Sequence, residues 1–459
     1  MTPTATRTPA DPVAPTESSK EIGRAARRRV GRSALGVWES PSDRRDPVAI
    51  LEQQAMTRVP ELVPIRYARM AAGVFPFLRG APAVMAADLA AGPNTGLTVQ
   101  LCGDAHPVNF GLYASPERAL VFDLNDFDET LPGPFEWDVK RLTAGLAVAA
   151  RANGFKDEHA TRAALDAAAA YRTAMRAYAE VDALSIWYER TDVDEAVSVI
   201  RKPATRDRIE QTLAAARGRT SLQALHKLTE PGPDGTPRIR PNPPLVAAAD
   251  QLDIDTVDEV FAAYRDTLPE ERRVLLDCHR VVDVASKVVG VGSVGTRCFI
   301  VLLTDRDTGS PLFLQVKEAE QSVLAAHLGP SRHEQQGSRV VHGQRLIQAA
   351  ADIFLGWCTG PGGRFYYWRQ LRDMEGSADL TSMSPALLRR YGELCGRTLA
   401  RAHARSGDRV AIATYLGRSD TFERAMGAFA LAYTDQTVAD HQRLIEAIDW
   451  GEVKAAEDR

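Results

Sequence analysis

The chain has 459 residues, 44% of them apolar and 25% charged, with a formal net charge of −4. This balance gives no global pull toward nucleic acid or anionic membrane, and no apolar run reaches the roughly 18 residues that a bilayer span needs. Five scattered cysteines without a C-x-x-C pair support neither a disulfide framework nor a zinc site, so a reducing cytoplasm is the expected location.

A chain this long exceeds one small core, so two lobes or more are expected. Residues 1–20 read as a disordered tail of Thr, Pro, Ser and charge, without the apolar core of a signal peptide. The arginine-rich stretch Arg24 to Arg32 reads as a solvated helix face. From Asp46 to Ala90 apolar residues recur at helical spacing; Arg66, Arg69 and Arg79 in this segment read as surface salt-bridging arginines, with entry into a cleft as the other reading. Two β-like runs, Leu97 to Leu101 and Ala119 to Phe122, bracket a polar loop. Helices are expected from Trp137 to Ala152 and from Asp157 to Glu180. The stretch Glu230 to Pro244, with six prolines, is the best linker. Beyond it Val281 to Val289, Arg297 to Leu303, Pro311 to Val316 and Phe365 to Leu371 read as strands. Helices are expected over Ser338 to Phe354, Ser384 to Ala404 and Thr421 to Ile448.

Two constellations carry chemistry. The first is Cys102-Gly103-Asp104-Ala105-His106-Pro107-Val108-Asn109, followed by Asp123-Leu124-Asn125-Asp126-Phe127-Asp128-Glu129. Such a density of hard oxygens beside an apolar strand calls for a cation, and favours Mg²⁺ over zinc. Phosphoryl transfer needs a carboxylate to orient a hydroxyl and an Asn and Asp to hold the metal on phosphates; Asp104 and Asn109, five apart, suit the first two roles. As single residues, Asp104 and Asn109 are turn caps. His106 is read equally as a functional group and as a structural one.

The second is Gly290-Val291-Gly292-Ser293-Val294-Gly295. A dinucleotide fingerprint must open a helix, but Thr296 to Leu303 suits a strand, so the loop belongs on a hairpin that covers phosphates. Lys317 ends the next strand-like run and would bind the α- and β-phosphates. Glu334 is the candidate acid for Lys317, with Gln344 as a polar substitute.

The strings around Asp104 and Asp126, with Arg66 to Met70, Phe77 to Gly80 and Glu136-Trp137-Asp138-Val139-Lys140-Arg141-Leu142, resemble the bacterial domain of unknown function 2252 family over about Arg44 to Asp440. That family is grouped with kinase-like folds. The first constellation is also similar to aminoglycoside phosphotransferases, with Asn125-Asp126-Phe127 and Trp137-Asp138 at matching places. The resemblance implies Asp104 as catalytic base, Asn109 and Asp126 as metal ligands, Asp138 as a buried acid bracing the loop, and Asp123 and Asp128 as fallback ligands. It implies an α+β, two-lobed protein-kinase-like fold. Because the glycine loop follows the catalytic loop, that fold would be circularly permuted. Residues 21–230 would form a helical large lobe, 231–250 a linker, 251–375 a small β-rich nucleotide lobe with a hinge at Gln370 and Leu371, and 376–459 helices returning to the large lobe. The helix Tyr391 to Arg405 would end near the strand before Gly103. An unpermuted rival, with Asp408 as base, fails because Ala413 stands where a ligand is needed.

These readings point to an ATP- and Mg²⁺-dependent phosphotransferase acting on a hydroxyl acceptor, by analogy a small molecule. A nucleotide-binding pseudoenzyme is the alternative, and a metal-dependent phosphoesterase is a weaker one, because its histidine motifs are missing.

Overall fold

The computed structural model describes residues 15–193, 210–211, 213–218, 221–232, 236–243, 246–248, 254–288, 290–371, 374 and 376–456. Of the expected tail, residues 1–14 lie outside the described residues, whereas helix α1 (Pro15–Arg29) takes up its end. The basic stretch is not simply a solvated face: Arg27 donates to the carbonyls of Thr414 and Tyr415, and Arg32 to that of Leu416. These are the orphan acceptors at a helix C-terminus, where cations are favoured.

Next come α2 (Pro47–Ala55), α3 (Val63–Ala71), α4 (Val74–Gly80) and α5 (Pro82–Ala90). Helix α2 starts where Asp46 caps the Val48 amide and Pro47 takes the first turn. Strands β1 (Thr98–Leu101), β2 (Phe110–Ala114), β3 (Leu120–Leu124) and β4 (Leu131–Pro134) follow. Strand β1 pairs with β4, and β2 with β3, all antiparallel. The long helices α6 (Phe135–Ala152) and α7 (Asp157–Tyr178) lead to α8 (Ala183–Tyr188) and β5 (Thr191–Asp192).

The proline-rich stretch expected as a linker carries structure. Helix α9 (Ser221–Leu228) precedes the hairpin β6 (Thr229–Pro231) and β7 (Pro237–Ile239), and β8 (Val246–Ala248) is the edge of a six-stranded sheet. Pro231 and Pro237 stand at strand ends, where a missing N–H costs little. Helices α10 (Ile254–Arg265) and α11 (Glu270–Asp277) come before β9 (His279–Lys287), β10 (Cys298–Asp305) and β11 (Pro311–Glu318). After α12 (Ala325–Leu328) and α13 (Gln336–Ile347) the sheet is finished by β12 (Gly356–Thr359) and β13 (Phe365–Gln370), giving the order β12-β13-β11-β10-β9-β8. Its period-two pattern fills two cores. Val301, Leu303, Leu314, Val316 and Trp368 pack with Tyr264 of α10 and Leu268 just beyond it. Ile300, Leu302 and Phe313 pack with Ala224 of α9 and Ile239 of β7.

After β14 (Gly376–Ser377), α14 (Pro385–Ser406), α15 (Arg409–Leu416) and α16 (Thr421–Asp449) close the chain around α6 and α7. Helix α14 lies close against α7: a Cβ at Gly396 would collide with the Ala167 carbonyl, so glycine is what permits the approach. Its last turn reaches β1, where Ser406 Oγ accepts from the Gln100 amide at 3.1 Å. Asp408 is no catalytic base; its carboxylate caps α15 at the Val410 and Ala411 amides.

Candidate functional site

The loop between β1 and β2 is held from three sides. Gly103 takes φ +89°, and a Cβ there would strike the Glu129 carbonyl. The carboxylate of Asp138, in the first turn of α6, accepts from the Cys102 amide at 2.7 Å and the Gly103 amide at 3.0 Å. His403 of α14 stands 3.2 Å from the same carboxylate and contacts the Tyr171 hydroxyl through its other nitrogen. The Tyr391 hydroxyl donates to the Pro107 and Phe110 carbonyls from α14. Asp138 thus braces the loop by satisfying amides that would otherwise be buried unpaired.

Within this loop Asp104 accepts from Arg141 at 2.8 Å, and the same guanidinium reaches the Leu78 carbonyl. Asn109 Nδ2 donates to the Asp104 carbonyl at 2.6 Å, which leaves its Oδ1 for another partner. His106 is buried 3.8 Å from the Asp104 carboxylate, and burial pushes its pKa down to about 3 despite that carboxylate. It is therefore a neutral imidazole at neutral pH.

The turn after β3 carries the second acidic group. Lys317 Nζ lies 2.6 Å from Asp128 Oδ2 and 3.5 Å from Asp126 Oδ2. The Tyr367 hydroxyl donates to Asp128 at 2.6 Å and Ser293 Oγ at 3.3 Å. The register explains the placement: Lys317 stands opposite Cys298 on β10 and opposite Tyr367 on β13, so lysine and tyrosine share one face of the sheet. Burial opposes the Lys317 charge, but Asp126 and Asp128 outweigh it and hold the ammonium well above its usual range. Burial likewise opposes ionisation of Asp128, and Lys317 and Tyr367 overcome it, keeping that carboxyl low. Asp126 is pushed upward by burial and by the charge of Asp128. Arg339 of α13 fixes the turn by donating to the carbonyls of Asp128 and Thr130 at 2.8 Å each.

Asp104, His106, Asn109, Asp126, Asp128, Gly290, Gly292 and Ser293 all line one cleft of about 900 Å³. Gly295 stands just outside it, at φ +94° against the Arg58 side chain, with its carbonyl accepting from the Val59 amide. Three expectations do not survive. Glu334 is exposed, and Lys317 finds its acids on the turn after β3 because α13 has none to offer. Asp123 is fully buried 2.5 Å from Arg401 and also accepts from the Ala349 amide, so it faces away from the cleft as a structural ion pair. The Gln370 amide is bonded to Asp352 and the Leu371 amide to the Phe313 carbonyl, so neither donor is free at the expected hinge. Gln370 instead lines a separate pocket of about 740 Å³ with Asn125, Arg369 and Tyr113. Gln344 bonds Gln348.

The sequence reading missed Arg141, Tyr367 and Glu129. Glu129 accepts from the Val323 amide at 2.7 Å, and burial raises its pKa to about 7. For Arg66 and Arg79 the second of the two readings holds: they line the cleft with Arg58. Among the described residues no group of three or more His, Cys, Asp or Glu is gathered for a metal. Asn109, Asp126 and Asp128 line the cleft with hard oxygen donors that suit Mg²⁺, and the mutual repulsion of Asp126 and Asp128 favours a cation beside Lys317.

A family model described as "uncharacterized protein conserved in bacteria", the domain of unknown function 2252, matches residues 58–447. No curated protein and no solved structure matches the chain. No helix among the described residues is long and apolar enough to cross a membrane.

Proposed function

The chain belongs to that bacterial family, and we propose that it is a phosphotransferase of circularly permuted kinase-like fold, using ATP and Mg²⁺ to phosphorylate a hydroxyl acceptor. The observation that carries this reading is the ion pair of buried Lys317 with Asp128 at 2.6 Å and Asp126 at 3.5 Å, two acids that line the same cleft as Asp104 and the glycine loop. Residues remote in sequence converge there in the combination phosphoryl transfer requires. The end of α14 at β1 supports the permuted connection, since the last turn of that helix returns to the strand that leads into the Asp104 loop.

In this reading the glycine-loop amides and Lys317 bind the phosphates, and Asn109 and Asp126 hold the metal. Bound Mg²⁺ supplies neutralisation of charge on the phosphate oxygens. Asp104 orients the acceptor hydroxyl and receives its proton, while Arg141 fixes the carboxylate's direction. Lys317 moves part of its bonding from Asp128 to phosphate. His106, neutral, presents no competing positive charge to the metal.

Thermal unfolding with and without Mg²⁺-ATP tests this. Ligand at a hundred times Kd stabilises by about 2.7 kcal/mol, so the wild type should show a clear ligand-induced shift. Lys317→Ala and Asp126→Ala, each compared with its own ligand-free state, should show little. No shift in the wild type at millimolar Mg²⁺-ATP would sink the reading. A pseudoenzyme is favoured by one observation, the engagement of Asp104 by Arg141. In that case Mg²⁺-ATP would bind and Asp104→Asn would leave ATP consumption unchanged at background.

A further inference from the structure

Three arginines in the cleft have no ion-pair partner among the described residues. Arg66 is 0% exposed, and of its guanidinium only Nη2 is bonded, to the Gly80 carbonyl at 2.9 Å and Gln54 Oε1 at 3.1 Å; Nε and Nη1 have no partner. Arg58, 9% exposed, donates through Nη1 to the Val294 carbonyl, and its Nε has no partner. Arg79 is half-buried, with Nε likewise unpartnered. All three line the wall of the cleft that holds Asp104 and His106. Burial pulls the Arg66 pKa down to about 9, and neighbouring Arg58 pulls the same way. Among the described residues no carboxylate forms an ion pair with any of the three; Asp128, Glu129 and Glu320 act on Arg58, Glu129 and Glu320 on Arg66, and Asp104 and Asp126 on Arg79, only from a distance. Buried guanidinium N–H groups without acceptors cost several kcal/mol each in principle, and natural proteins leave few. Guanidinium forks are matched by the oxygens of phosphate or carboxylate.

Resting on the phosphotransferase reading, we propose that Arg58, Arg66 and Arg79 bind an anionic group, a phosphate in the first place, carried by the acceptor itself. The acceptor is then a phosphorylated hydroxyl compound, anchored by its existing phosphate on the arginines while its hydroxyl meets Asp104. The nucleotide's phosphates belong to the glycine loop and Lys317. Balance is simple: the hydroxyl oxygen forms a bond to the γ-phosphorus, the bond from that phosphorus to the bridging oxygen of ADP breaks, and the hydroxyl proton goes to Asp104.

The test is calorimetric titration of inorganic phosphate into the full chain without nucleotide. The expected result is binding by the wild type, retained within about threefold in Lys317→Ala and weakened about tenfold or more in Arg58→Gln and in Arg79→Gln, as loss of a charge-assisted hydrogen bond predicts. Arg79→Gln, at a half-exposed position, serves should the buried Arg58 variant fail to fold. The proposal is overturned if the wild type binds no phosphate, or if Lys317→Ala abolishes binding, whether or not the arginine variants do, because the anion is then the nucleotide's own. A Mg²⁺-ATP shift without phosphate binding sinks this inference alone. Arginine-dependent phosphate binding without a Mg²⁺-ATP shift sinks the phosphotransferase reading and the acceptor assignment with it.

Discussion

Lys317 is the residue on which most depends, since its Nζ bridges two acids that would otherwise repel each other. Replacing it with Met leaves Asp128 (28% exposed) and Asp126 (33% exposed) facing one another. The expected loss is about 2–4 kcal/mol, below the full value for a sealed ion pair because both acids border the cleft. The double variant Lys317→Met/Asp128→Asn should recover much of it, and urea unfolding of the four proteins gives the coupling directly. At the same scale Asp104→Asn should lower turnover by about 10²–10³, read as acceptor-dependent ATP consumption, and should lower stability as the buried Arg141 guanidinium loses its carboxylate. His106 sets a pH dependence. Its pKa of about 3 in the fold lies below the 6.5 of an unperturbed histidine, so the unfolded chain binds the extra proton between those values. The stabilising contribution is complete above pH 6.5 and is lost as pH falls toward 3. Glu129, raised to about 7 from 4.5, has the opposite sign, contributing below 4.5 and losing that contribution as pH rises through 7. Urea midpoints measured across pH 3 to 8 should show a shallower acid limb in His106→Asn; an unchanged limb would mean the imidazole is solvated.

Elements, rather than residues, decide which of these groups meet. Asp104, Asn109 and Lys317 were legible because each lies in a short pattern beside a strand, and the backbone geometry that such patterns impose is local. The partner of Lys317 was not legible, because it depends on how β11 and β13 sit over the turn after β3, and Asp128 is 189 positions away. Asp123 and Asp128 look alike in sequence. Asp123 lies within β3 and points to Arg401 of α14, while Asp128, beyond the strand, turns to the cleft. The boundaries of α6, α7, α14 and α16 followed from apolar spacing to within two residues, whereas the helix expected over Ser338 to Phe354 ends at Ile347 as α13, and β2, β4 and β12 were not read. The α14–α7 contact is the most exacting packing in the helical part. Gly396→Ala places a methyl against the Ala167 carbonyl, and overpacking of this kind costs about 1–3 kcal/mol. A fall in the urea midpoint with an unchanged m-value would establish it; no fall would mean that the helices separate freely. Asp138→Asn replaces one acceptor by a donor beneath the Cys102 and Gly103 amides. A loss of about 1–3 kcal/mol is expected from the unsatisfied amide, together with lower turnover as the Asp104 loop shifts.

Across the whole molecule, chain ends and middles interlock. Arg44 bonds both Asp88 and Asp440, joining the α2 region to α16. Arg58 and Arg69 grip the carbonyls of Val294 and Gly290, and the Val59 amide bonds Gly295, so the segment before α4 clasps the glycine loop. That clasp places the arginines and the loop in one cleft, and a substitution on either side should alter ligand binding by both.

The order in which these partners are made has a consequence for synthesis. Asp128 leaves the ribosome 189 residues ahead of Lys317, which at ~5–20 residues per second is roughly 10–40 s. His403, which contacts Asp138, follows 265 residues behind it. A nascent chain therefore carries the acidic turn without its counter-charge while 189 of the 459 residues are added. Ribosome-bound intermediates halted before residue 317 should be sensitive to proteolysis between 102 and 130, and that sensitivity should vanish only once the final helices have emerged.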